Sequence, residues 1–195
     1  SSEGFANTDG KIAFLGTLWT PTTLYNYALA FSFLIVAFIS PTLSGIADYA
    51  ANKKKFLKAF CFMGSISVMS LFFFTGKETL WVAIVFSILA SIGFWGSIVF
   101  YNAYLPEVAK PEQHDIVSAK GFMMGYTGSI LLLVVCLVLI ETSVFGFYDK
   151  QFGSQLSFVL VGLWWFGFAQ VTYTNLPNEE KITLPKDNYF KKGLK

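Results

Sequence analysis

Five stretches of about 20 residues, each free of charge through its middle, limit what this chain can become. They run from Leu24 to Ile46, Ala59 to Thr75, Leu80 to Tyr101, Phe122 to Ile140 and Gln155 to Tyr173. A helix needs ~20 mainly apolar residues to cross ~30 Å of hydrocarbon. Lipid offers no partner to an open backbone amide, so such stretches span as helices. Of the 195 residues, 54% are hydrophobic and 13% charged, and the 22 Phe, 9 Tyr and 5 Trp are spread along the whole length. No single water-soluble core absorbs that distribution, and the fold class read from it is an all-α membrane protein.

Punctuation agrees with the spans. Thr20 and Pro21 form a cap and first-turn pair for the first span, the Gly76-Lys77-Glu78 turn separates the second and third, Asp115 or Ser118 can cap the fourth, and Pro177 follows the fifth. Trp19, Tyr25, Trp81, Tyr101, Phe147, Tyr148 and Tyr173 fall at span ends, where amphipathic rings favour the headgroup region.

All the basic residues are lysines, and their placement sets an orientation. Loops on one side carry Lys53, Lys54, Lys55, Lys58, Lys110, Lys120, Lys181, Lys186, Lys191, Lys192 and Lys195, whereas the other side has Lys11, Lys77 and Lys150. The positive-inside rule makes the first set cytoplasmic, with the N-terminus outside and the C-terminus inside. The chain opens at Ser1 without Met or a signal pattern, so an earlier helix is expected to have delivered that end outside. Residues 1–174 are read as part of a transporter half and 175–195 as a cytoplasmic linker, with more chain expected beyond Lys195.

Several function classes drop out. A net charge of +2 with dispersed lysines argues against nucleic acid as a partner. Cys61 and Cys136 lie inside apolar runs without zinc-site or redox spacing, at depths differing by roughly 20 Å, so both are read as small core hydrophobes. Glu107, Glu112, His114 and Asp115 share one loop, but a single His among unpaired carboxylates reads as a solvated loop with a helix cap. Neither a metal, a cofactor nor an enzymatic nucleophile with a partner base is read from the sequence. Glu141 lies at the outer end of the fourth span, either as a proton site or as an interfacial residue reaching water.

The stretch Ser44-Gly45-Ile46-Ala47-Asp48-Tyr49-Ala50-Ala51-Asn52-Lys53-Lys54-Lys55 places small residues before an Asp and a basic cluster after it. Small residues let helices approach, the Asp can cap a helix or pair with a cation, and the lysines hold the loop inside. A solvated, topology-setting charge run has the same composition. The stretch resembles the signature loop between the second and third helices of the major facilitator superfamily. Ser44, Tyr49 and Ala51 depart from its usual Gly, basic residue and Gly, while the Asp is kept. The resemblance implies a conformational-switch loop comprising Ser44, Gly45, Asp48, Lys53, Lys54 and Lys55. A second stretch, Phe100-Tyr101-Asn102-Ala103-Tyr104-Leu105-Pro106-Glu107, then Ser118-Ala119-Lys120-Gly121 and Gly125-Tyr126, resembles the join between the fourth and fifth helices in transporters related to the fungal vacuolar amino-acid effluxer of autophagy, a branch with bacterial members.

On this resemblance the five spans correspond to helices two to six of a twelve-helix carrier in a bacterial inner membrane. The first helix and the C-terminal half are then partners supplied from outside this segment. Ser118, Gly121, Gly125 and Gly128 share one helical face, a small-residue stripe for static packing or for a moving interface between halves. Ser87, Ser91, Trp95 and Asn102 share a face of the third span, and with Tyr126 they are candidates for solute contact. Serines that bond their own backbone and a Trp that fills a gap would give the same pattern. The expected function is alternating-access transport of a small polar solute, with amino acids implied by the resemblance, and the rival is a non-transporting scaffold or assembly subunit.

Overall fold

The structure, a computed structural model, describes residues 11–14, 16–49, 53–141 and 149–177. Its helices are α1 (Pro21–Tyr49), α2 (Lys53–Ser70), α3 (Leu80–Asn102), the one-turn α4 (Leu105–Val108), α5 (His114–Glu141) and α6 (Lys150–Asn175). Among the described residues, five helices are long and apolar enough to cross a membrane. The all-α membrane class therefore holds. One small addition precedes α1: strands β1 (Ile12–Phe14) and β2 (Thr17–Trp19) form an antiparallel hairpin with Phe14 opposite Thr17, turning at Gly16 with φ of 75°. The sequence, polar and Gly-containing with one short apolar patch, gives this segment only as an outer loop.

Helix ends follow local chemistry. The Thr20 hydroxyl accepts from the Thr23 amide at 3.2 Å, so α1 begins at Pro21 as its cap pair requires. Asp149 caps α6 by accepting from the Phe152 amide at 2.8 Å, so the helix starts at Lys150, ahead of the apolar run expected from Gln155. Two further starts are corrected. α2 begins at Lys53, six residues before the expected Ala59, because lysine is a good helix former whose long stem lets the charge reach water. α5 begins at His114, so Asp115 and Ser118 lie inside it and neither is its cap. A 3-10 turn, Pro111–Gln113, leads into it instead.

Packing does not follow chain order. α3 sits between α1 and α2, α2 between α3 and α6, and α6 between α2 and α5. Glycines permit the closest approaches. A Cβ on Gly93 of α3 would stand 2.6 Å from the Gly64 Cα of α2, and one on Gly162 of α6 would stand 2.8 Å from the Ser65 carbonyl oxygen. A buried cluster of Leu57, Cys61, Phe100, Tyr104, Ala169 and Tyr173 ties α2, α3 and α6 together, with Phe100 stacked on Phe56 at 5.3 Å. Large apolar side chains elsewhere face outward, Phe38 at 81% exposure, as lipid-facing positions do. Cys61 and Cys136 are both free and buried. Tyr173, in the last turn of α6, is buried in this cluster.

Candidate functional site

α3 and α6 both pack against α2, and α5 packs against α6. Between them lies a groove of about 610 Å³. Its α3 wall includes Ser91, Phe94, Trp95, Ser97 and Tyr101, its α6 wall Trp164, Trp165, Phe168 and Thr172, and its α5 edge Ser129 and Leu132. Leu57, Cys61 and Val68 of α2 form the floor. The groove follows α3 from Ala90 to Tyr101, ~16 Å at helical rise.

The chemistry of this lining is aromatic and hydroxylic. Trp95 meets Phe94 edge-on at 5.4 Å and Phe33 of α1 at 5.8 Å, and Phe94 meets Trp165 of α6 at 6.0 Å. Ser97 donates to the Phe94 carbonyl at 2.7 Å, Ser129 to that of Gly125 at 2.9 Å and Thr172 to that of Phe168 at 3.4 Å. Those three hydroxyls therefore satisfy themselves on their own helices but keep lone pairs for a ligand. No charged side chain lines the groove. Such a surface can stack, hydrogen-bond and exclude water, which is the chemistry of a binding site.

The five expected solute contacts separate. Ser91 and Trp95 line the groove. Ser87 and Ser91 line a smaller cavity of about 170 Å³ between α1 and α3, with Tyr25 and Leu29. Asn102, the last residue of α3, and Tyr126, 70% exposed on α5, line neither. Trp164, Trp165 and Phe168 of the α6 wall carry no sign of the groove in sequence, since they lie within one apolar run.

The small-residue stripe on α5 is open. Cβ atoms built on Gly125 and Gly128 would meet nothing within 4 Å, and one on Gly121 would meet the Tyr101 hydroxyl at 3.2 Å. Ser118 is half-buried near the start of the same helix. The close helix contacts within this chain instead use Gly64, Gly93, Gly96, Gly153 and Gly162.

The switch-loop residues fall into three groups. Ser44 and Gly45 belong to the last turns of α1, Ser44 being exposed. Asp48 has its backbone in the final turn of α1, and its side chain lies outside the described residues, as do residues 50–52 entirely. Lys53, Lys54 and Lys55 form the first turn of α2, not a free loop. Lys53 pairs with Glu107 of α4, Lys54 donates to the Leu176 carbonyl at 3.1 Å, and Lys55 is exposed. His114 reaches the Ala109 carbonyl at 3.1 Å, a contact local to its own loop. At the opposite end, Gln151 and Gln155 of α6 donate to the Thr75 and Phe74 carbonyls at 3.0 and 3.2 Å, and Glu141 pairs with Lys150 at 2.8 Å.

Comparison with known proteins places the chain among membrane transporters. The family described as "Vacuole effluxer Atg22 like" matches residues 3–195. The chain is 34% identical over 146 residues to "Uncharacterized MFS-type transporter YxiO" of Bacillus subtilis (strain 168), covering 74% of this chain and 34% of that protein. It is 25% identical over 195 residues to "Autophagy-related protein 22" of Coccidioides immitis (strain RS), covering 73% of this chain and 32% of that protein. "Autophagy-related protein 22-1" of Penicillium rubens is 24% identical over 221 residues, with 81% and 36% covered. The chain thus spans about a third of the length of the curated relatives it matches. No solved structure matches it.

Proposed function

The chain belongs to the Atg22-like vacuole effluxer family, and from that premise we propose that it is the front part of a solute carrier working by alternating access. Its five spans serve as helices two to six of a twelve-helix, two-half protein, with a first helix before them and a second half after the linker at 175–195. The lysine-rich end faces the cytoplasm, in a bacterial inner membrane, and the N-terminus of the segment lies outside. Relatives of which this chain spans about a third support the larger architecture.

One observation carries the proposal: a groove with stacking surfaces and hydroxyls, bordered by Ser91 at the middle of α3, within a bundle whose spans hold no charge at mid-depth. Carriers place their solute near the bilayer midplane between elements that rock. Amino acids are the proposed solute class. The groove can hold the body and side chain of such a solute, and charge partners for its carboxylate and ammonium come from helices outside this segment. Asp48 serves as a switch at the α1 end, and the α5 stripe as the contact between halves. The test is uptake of a radiolabelled amino-acid panel by proteoliposomes of the full-length protein. Uptake above that of empty liposomes, competed by unlabelled solute, supports the proposal. Binding and uptake of none, with the protein folded, favour the scaffold reading.

A further inference from the structure

Three cavities follow one another along a single face of α3. The first, about 240 Å³, is enclosed by Ile12 of β1, Tyr25 of α1, Phe74, and Leu80, Ile84 and Ser87 of α3. The second shares Tyr25 and Ser87 with the first, and shares Ala90 and Ser91 with the groove. Leu80, Ile84, Ser87, Ser91, Ile98 and Tyr101 are three, four or seven residues apart, so the cavities track one helical stripe. At helical rise that stripe is ~32 Å long, enough to cross the hydrocarbon.

The β-hairpin stands at the Leu80 end of this stripe. Two strands of three residues do not hold together alone in water, so contact with the helices must fix them. Ile12 lies against the first cavity with 3% of its surface exposed, and its cross-strand partner Trp19 meets Tyr27 of α1 edge-on at 5.3 Å. Leu18, next to Trp19 and so on the opposite face of the hairpin, is 53% exposed. The grip is therefore one-sided, with Ile12 as its buried knob. We infer that Ile12 is a plug and the hairpin a strap: docked, they shut the Leu80 end of a track that runs down α3 to Ser91, and lifted, they open the groove to that side of the membrane. The inference rests on the groove being the solute site, yet its test reads the access of a reagent and needs no solute to move.

The experiment uses the full-length protein with Cys61→Ser and Cys136→Ser, in sealed vesicles, with a small impermeant thiol reagent on the hairpin side only. Ser87→Cys reports on the first cavity and Ser91→Cys on the groove. Ser157→Cys, at a buried position on α6 that lines none of the three cavities, reports on general loosening. Ile12→Ala should raise labelling of Ser87→Cys and Ser91→Cys roughly tenfold or more, because deleting most of a buried isoleucine side chain weakens docking by at least that factor. Leu18→Ala, an exposed change in the same hairpin, should leave both rates within about twofold. Unchanged labelling in Ile12→Ala, or a rise at Ser87→Cys without one at Ser91→Cys, would overturn the plug. So would an equal rise at Ser157→Cys, or one produced equally by Leu18→Ala.

Discussion

Replacing Gly93 by Ala tests a close backbone contact between α2 and α3. The added methyl would stand 2.6 Å from the Gly64 Cα and 2.9 Å from the Phe60 carbonyl oxygen, both on α2. Carbon atoms settle about 3.5–4.0 Å apart, so α2 and α3 must part by ~1 Å along a seam that also holds Gly96 against the Phe60 ring. Overpacking of this kind costs ~1–3 kcal/mol. Alanine also stabilises a helix relative to glycine by up to ~1 kcal/mol, which partly masks the loss. Gly167→Ala on α6 isolates the two effects, since nothing lies within 4 Å of its built Cβ and it gains the same propensity. In the full-length protein, unfolded by SDS titration in mixed micelles and followed by tryptophan fluorescence, Gly93→Ala should be less stable than Gly167→Ala by ~1–3 kcal/mol. Equal stabilities, within ~0.5 kcal/mol, would refute the close approach of α2 and α3.

Gly125→Leu should leave the folding of this segment unchanged, since its surroundings here are open, and should abolish transport if the second half docks on the stripe. Val135→Leu, off the stripe, should transport normally, and equal activity of the two variants would remove the stripe as an interface. Asp48→Asn should reduce transport at unchanged expression and topology, because a switch carboxylate biases two states by a few kcal/mol; full activity would remove the switch role. Single cysteines at Asn52 and Ser143, without Cys61 and Cys136, should label from opposite faces, and labelling of Asn52 from outside intact cells would reverse the orientation.

What the sequence discloses of this protein follows from what the bilayer enforces. Span number and class are legible because hydrocarbon demands long uncharged helices, and the Thr20-Pro21 start is legible because its capping is local. Helix ends beyond the hydrocarbon are not governed by that demand, which is why α2 and α5 begin well before their apolar runs. The groove was half legible. Ser91 and Trp95 stand out as polar or large residues on one face of α3, whereas Trp164, Trp165 and Phe168 belong to it only because α6 packs beside α2 and opposite α3. Pairing across the chain was hidden for the same reason. Glu107 reads as one carboxylate in a solvated loop until α2 and α4 meet. Small residues mark the close helix contacts at Gly64, Gly93 and Gly162, which share no single helical face and so form no stripe in sequence.

Alternating access makes one demand that no static scaffold meets: a position at mid-depth must be reachable from each side in turn. Ser91 lies halfway along α3 and borders the groove, which makes it the position to watch. Ser91→Cys in the full-length protein, lacking Cys61 and Cys136, should react with a small impermeant thiol reagent applied from either face of sealed vesicles, and bound solute should slow both reactions. Reaction from neither face, or from one face only whatever the solute, would contradict the carrier account.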